Sequence, residues 1–148
     1  MERIVSIGEC MGELSETGTP GTLNMGFAGD TLNTAYYLRR SLGTDWQVDY
    51  VTAVGTDGLS HRMLEFLKEE GIGTDHVRQL PDKTFGLYYI TLIDGERSFT
   101  YWRNDSAARG LAGDPAALVR ALEGARMAYW SGITLAILSN QDRLALIE

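Results

Sequence analysis

A chain of 148 residues, 44% hydrophobic and 22% charged, is long enough for one domain with its own core and has an ordinary globular composition. A net charge of −7 without any Lys/Arg-rich run argues against a general nucleic-acid binder, and any anionic ligand must find its positive partner locally. Cys10 is the only cysteine, which excludes an intrachain disulfide; with no secretory leader and no apolar run of membrane-spanning length, a cytoplasmic protein with no membrane contact is expected.

Arg3–Gly8 reads as a buried first strand. The segment Glu13–Gly29 is punctuated by Gly18, Pro20, Gly21, Gly26 and Gly29 and is either loop or short strands that pair with a later hairpin. Asp30 or Thr31 offers a cap for a helix whose apolar stripe is Leu32, Ala35, Tyr36 and Leu42, stopped at Gly43. Gln47–Val54 is a second strand. Asp57 caps the next helix, with Leu59, Met63, Phe66 and Leu67 on one face and Gly71 as its stop. Asp114-Pro115 opens a helix over Ala116–Leu122, Met127–Gly132 is a third core strand, and Ser139 with Asp142 marks a last helix start.

The segment Thr84–Arg103 carries the strongest local signal. Two runs rich in β-branched and aromatic residues flank Asp94-Gly95, the signature of a two-residue hairpin. Counting outward pairs Ile93 with Glu96, Ile90 with Phe99, Tyr88 with Tyr101 and Gly86 with Arg103. Strand alternation then places Tyr88, Tyr101 and Arg103 on one face, with open space at Gly86 opposite the arginine. Two phenols beside a guanidinium form a donor-rich surface suited to an oxygenated anion, because arginine grips a carboxylate through parallel hydrogen bonds. The opposite face carries Phe85, Leu87, Tyr89 and Trp102 and needs covering, by the rest of the chain or by a second subunit.

Strands alternating with helices predict an α/β fold with a parallel sheet covered on both faces, and the hairpin projects from it as a flap. Ligands of such sheets bind beyond the C-terminal strand ends, here Gly8-Glu9, Gly55-Thr56-Asp57 and Gly132-Ile133-Thr134, together with the turn Ala28-Gly29-Asp30. No GxGxxG, GxxxxGK[ST] or GxSxG occurs, and His61 and His76 have no ligand-like spacing, so neither a dinucleotide site, a P-loop, a nucleophile elbow nor a zinc site is suggested.

Gly8-Glu9-Cys10-Met11, Ala28-Gly29-Asp30-Thr31-Leu32-Asn33-Thr34, Tyr50 to Asp57, Gly86 to Ile90, Gly95-Glu96-Arg97, Tyr101-Trp102-Arg103-Asn104 and Leu135 to Ser139 occur in this order. The ordered set resembles the N-terminal half of the 2-keto-3-deoxygluconate kinases, within the ribokinase-like (PfkB) carbohydrate kinases. The resemblance implies an incomplete Rossmann-like ribokinase fold over residues 1–148, with a small β lid built from about 13–29 and 84–103. It implies a sugar acid as the small-molecule partner, a homo-oligomer formed through the lid, and ATP-dependent phosphorylation of the keto acid to its 6-phosphate.

By the same resemblance, Gly29, Asp30 and Asn33 contact sugar hydroxyls, while Tyr88, Tyr101 and Arg103 hold the keto-acid end. Glu13 stands where many relatives place a sugar-binding acidic residue, and Ala28 replaces the first glycine of the usual pair. The family's Gly-Ala-Gly-Asp motif, which carries the general base, does not occur, so no catalytic residue is assigned in this chain. ATP and magnesium are expected to bind mainly outside it, and the chain alone is expected to be inactive. Two other readings stand beside this one: a different sugar kinase of the family, such as a fructokinase, and a non-catalytic sugar-binding or dimerising module.

Overall fold

The computed structural model describes residues 1–148. In chain order the elements are β1 (Glu2–Ile7), β2 (Met11–Glu16), β3 (Leu23–Ala28), α1 (Asp30–Ser41), β4 (Trp46–Val51), β5 (Ala53–Val54), α2 (Gly58–Glu69) and β6 (Arg78–Gln79). There follow β7 (Leu87–Ile93), β8 (Glu96–Trp102), a 3-10 turn at Ala107–Gly110, α3 (Pro115–Leu122), β9 (Met127–Trp130), α4 (Gly132–Ile137) and α5 (Asn140–Ile147).

The three apolar runs expected as core strands form one parallel sheet in the order β4-β1-β9, with Ile4 between Val48 and Met127. Alternation along β1 and β4 sends side chains to both faces, and each face is covered. Val5, Ile7 and Val51 pack with Leu118 and Ala121 of α3 and with Ile137 and Leu146. On the other side Val48 and Tyr50 meet Leu32 and Ala35 of α1 and Met63 and Leu67 of α2. The one carboxylate within β4, Asp49, is neutralised by Arg3 at 2.9 Å and accepts from Gln47 at 2.8 Å. Buried charge of this kind persists only when paired.

The helix caps follow local chemistry. Asp57 accepts from the amides of Leu59 and Ser60, each at 3.0 Å, and from the Ser60 hydroxyl at 2.7 Å. Burial works against its charge, but those bonds prevail and lower its pKa from 3.8 to about 2. Asp114 and Ser139 cap α3 and α5 through Ala117 N and Asp142 N.

Helix α1 departs from expectation: its cap is Gly29, not Asp30 or Thr31. Asp30 is already the first helical residue, and its carboxylate takes the Thr31 amide at 2.8 Å. The strand expected over Met127–Gly132 ends at Trp130, because Ser131 turns to cap α4 through Ile133 N and Thr134 N. Likewise the strand expected over Gln47–Val54 is interrupted at Thr52, and the short β5 that follows pairs with β6.

Residues 11–28 and 87–102 form a second, four-stranded sheet in the order β3-β2-β7-β8. The Gly-punctuated segment is therefore two short strands joined by a turn at residues 17–22, with β2 antiparallel to β3 and parallel to β7. Asp94 (φ 53°) and Gly95 (φ 83°) both lie in the left-handed region that a type I′ turn requires. The hairpin register is the one counted from that turn, with Tyr88 opposite Tyr101 and Ile90 opposite Phe99. The apolar back face is only partly covered by the chain: Phe85 is buried edge-on against Phe27, whereas Trp102 is 57% exposed. No helix is long and apolar enough to cross a membrane.

Candidate functional site

A cavity of about 260 Å³ opens where the N-terminus of α1 meets the second sheet. Gly29, Asp30, Asn33, Tyr88, Tyr101 and Arg103, separated by up to 74 positions in sequence, all line it. Gly29 is positioned by close approach. A Cβ there would lie 2.4 Å from the carbonyl oxygen of Glu9, so only glycine lets the start of α1 sit against the end of β1. The helix then presents its first turn to the cavity, with the Asn33 amide bonded to the Gly29 carbonyl at 2.7 Å.

The opposite wall is the hairpin. Tyr88, Phe99 and Tyr101 form a cluster with ring centroids 5.8 to 6.2 Å apart. Burial, and then a hydrogen bond to the Glu13 carboxylate, push the Tyr88 phenol above its ordinary pKa. Tyr88 thus stays neutral and donates its only proton to Glu13. Only the lone pairs of its oxygen are left free, which corrects the expectation of two free phenolic donors. Glu13 itself does not line the cavity; it acts on Tyr88.

Arg103 differs from expectation in a second way. Its Nη2 donates to the carboxylate of Glu9, which is 3% exposed, and its guanidinium lies 5.9 Å from the Tyr101 ring centroid. The space at Gly86 is not open. A Cβ there would meet Glu9 Oε1 at 2.6 Å and Arg103 Cβ at 2.9 Å, so the missing side chain is where the Glu9 carboxylate is housed. Nη1 and Nε of Arg103 have no protein acceptor and remain available to a ligand.

Four further residues line the cavity: Glu9 and Ile133, which belong to the strand ends expected to face a ligand, and Met11 and Phe99, for which the sequence suggests no site role. Phe99 was within reach, since extending the alternation two residues back from Tyr101 lands on it. Glu9 stood among the strand ends, but nothing local announces its pairing with a residue 94 positions away. Ile133 also stood among those strand ends; it sits in the first turn of α4, a six-residue helix too short to leave a periodic signal of its own.

A larger cleft of about 590 Å³ shares Tyr101 and Arg103 but is otherwise lined mainly by the loops around Pro81–Phe85 and Asn104–Ser106, with Asp57 and Trp102. The smaller cavity is the better candidate because a helix N-terminus, acceptors and a guanidinium converge on it. It does not fit a nucleoside triphosphate: a single guanidinium would stand against several phosphate charges, with Glu9 and Asp30 facing them as well.

The comparisons agree with this architecture. Residues 1–148 match the family described as pfkB family carbohydrate kinase. The chain is 47% identical over 150 residues to a 2-dehydro-3-deoxygluconokinase of Dickeya dadantii, covering 99% of this chain and 48% of that protein. Among solved structures it resembles a PfkB family carbohydrate kinase from Listeria grayi, with a TM-score of 0.81, 25% identity and coverage of 99% of this chain and 46% of that one. It also resembles a sugar kinase from Pyrococcus horikoshii in complex with ATP, with a TM-score of 0.79, 23% identity and coverage of 97% and 47%. The chain thus spans about half the length of the relatives it matches. With the family match running through all 148 residues and the ribokinase-like α/β architecture in agreement, this chain belongs to the pfkB family of carbohydrate kinases.

Proposed function

We propose that this chain is the substrate-binding part of a kinase that uses ATP to phosphorylate the terminal hydroxyl of 2-keto-3-deoxygluconate. The observation that carries the proposal is the pairing of unlike walls in one cavity. Arg103 offers Nη1 and Nε to a carboxylate on one side, while Gly29, Asp30 and Asn33 offer backbone and side-chain groups for hydroxyls on the other. Tyr88 accepts from a substrate hydroxyl and Tyr101 flanks the guanidinium. A six-carbon keto acid has a carboxylate at one end and a primary hydroxyl at the other, which matches this polarity.

These residues bind and orient; they hold the acid end so that the far hydroxyl faces away from the hairpin. Phosphoryl transfer depends mainly on positioning and on electrostatic stabilisation of the transferring group. The base, the magnesium ion and most ATP contacts are proposed to belong to the part of the relatives' length that these 148 residues do not span. The name carried by the Dickeya dadantii relative supports the substrate assignment. The proposal places the reaction in the cytoplasm and pairs subunits through the second sheet, where Leu92, Ile93 and Trp102 are exposed.

One observation favours a second reading. The Glu9–Arg103 pair leaves that end of the cavity without net charge, which suits a neutral hexose such as fructose. Calorimetric titration separates the two. The keto acid is expected to bind the wild-type chain more tightly than fructose, and Arg103→Met to weaken keto-acid binding at least about tenfold, the worth of one charge-assisted hydrogen bond. Preference for fructose, or indifference of keto-acid binding to Arg103→Met in a variant with an unchanged circular dichroism spectrum, contradicts the proposal.

A further inference from the structure

Glu9 is the most deeply buried charged group of the cavity, its side chain 2% exposed against 21% for Arg103. One carboxylate oxygen, Oε2, accepts from Arg103 Nη2. The other, Oε1, is buried without any hydrogen-bond partner. A carboxylate in such surroundings carries a desolvation cost that a single arginine contact offsets only in part. An apolar residue would pack there at lower cost, so a buried acceptor held against the guanidinium points to a task beyond stability. Gly86 belongs to the same arrangement, since any side chain there would occupy the niche that holds Oε1.

We propose that Glu9, housed in the niche at Gly86, is a positioning residue that fixes the guanidinium of Arg103 in the orientation that receives a substrate carboxylate. The inference rests on the keto-acid reading of the cavity and adds to it the group that sets the specificity for an acid. Arginine has a large rotamer entropy, and an unrestrained guanidinium at the rim of a half-open cavity would be ordered only at the moment of binding. Holding Nη2 from behind removes that cost beforehand and directs Nη1 and Nε at the ligand. Glu9 contributes no contact to the substrate's hydroxyls in this scheme; its effect passes entirely through Arg103.

The test compares 2-keto-3-deoxygluconate with its methyl ester, which lacks the negative charge, by titration into the 148-residue chain. Wild type is expected to prefer the acid. Glu9→Ala is expected to lower acid affinity about tenfold and leave ester affinity unchanged, the loss being one oriented charge-assisted contact. Glu9→Asp keeps the charge but is one methylene too short, and is expected to lose the preference equally. Glu9→Gln still presents an oxygen to Nη2 and is expected to retain it within about threefold, on the scale of a neutral hydrogen bond. Gly86→Ala, with Glu9 intact, is expected to reproduce the loss.

Equal weakening of acid and ester in Glu9→Ala and Glu9→Asp would mean a merely structural role and would overturn the proposal, as would full retention of the acid preference in both. If Arg103→Met abolishes the preference and the Glu9 variants do not, the positioning role alone fails. If Arg103→Met also leaves it intact, the keto-acid reading of the cavity fails with it.

Discussion

The two sheets of this protein are built to different rules. In the parallel sheet, β1 ends in four consecutive buried residues, Ile4 to Ile7, and both faces are closed by helices. In the second sheet, every residue of β8 is exposed, and the strand's large side chains either line a cavity or face outward. The first sheet is held by burial, which is indifferent to ligand. The second packs only its inner residues, Met25, Phe27 and Leu87, on the core, and is otherwise held by its ladder, its turn and a few polar contacts. The candidate site lies at the seam, with Gly29 and Glu9 supplied beside the parallel sheet and Tyr88, Tyr101 and Arg103 by the more exposed hairpin.

The contrast breaks first under paired truncations. Leu67, fully buried on α2, should lose about 3 kcal/mol as Leu67→Ala, whereas Leu92→Ala in the hairpin, 67% exposed, should stay within about 0.5 kcal/mol. Urea unfolding of both variants measures this. Comparable losses would mean that the second sheet is as tightly integrated as the first. At the seam, Gly29→Ala forces a Cβ toward a backbone oxygen and should cost about 1–3 kcal/mol while perturbing Glu9.

Arg103→Met removes the partner of a buried carboxylate, and partial solvent access limits the cost to about 1–2 kcal/mol. Adding Glu9→Gln should recover most of it, because the stranded charge is then gone. A double mutant no better than the single would show that the pair is uncoupled in folding. The smallest effect is that of pH. Asp57 is held near pKa 2 in the folded chain against an ordinary 3.8, so its contribution is present above about pH 4 and is lost as pH falls toward 2. Asp57→Asn should flatten that part of the acid-unfolding curve.

What the sequence disclosed follows the same division. Periodicity and caps located the core strands, α2, α3 and α5, because apolar spacing and Asp57, Asp114 and Ser139 are local signals. The hairpin register was legible for a similar reason: Asp94-Gly95 admits one tight turn, and alternation does the rest. Contacts between distant segments were not legible. Nothing in Gly8-Glu9 indicates that its carboxylate meets Arg103, and nothing in Glu13 indicates that it accepts the Tyr88 hydroxyl. Those pairings depend on β2 lying beside β7, a parallel partnership between segments more than 70 residues apart that no short pattern encodes.

On the proposed reading, one cavity at the seam receives a sugar acid between α1 and the hairpin. Amide and arginine side-chain NMR shifts followed during titration with 2-keto-3-deoxygluconate test it most directly. Saturable shifts concentrated at Gly29, Asn33, Tyr88, Tyr101 and the Arg103 guanidinium are predicted, with Leu67 and its neighbours on α2 unmoved. Shifts confined to the loops at Pro81–Thr84 and Asn104–Ser106, or none at ligand saturation of the related kinases, would contradict it.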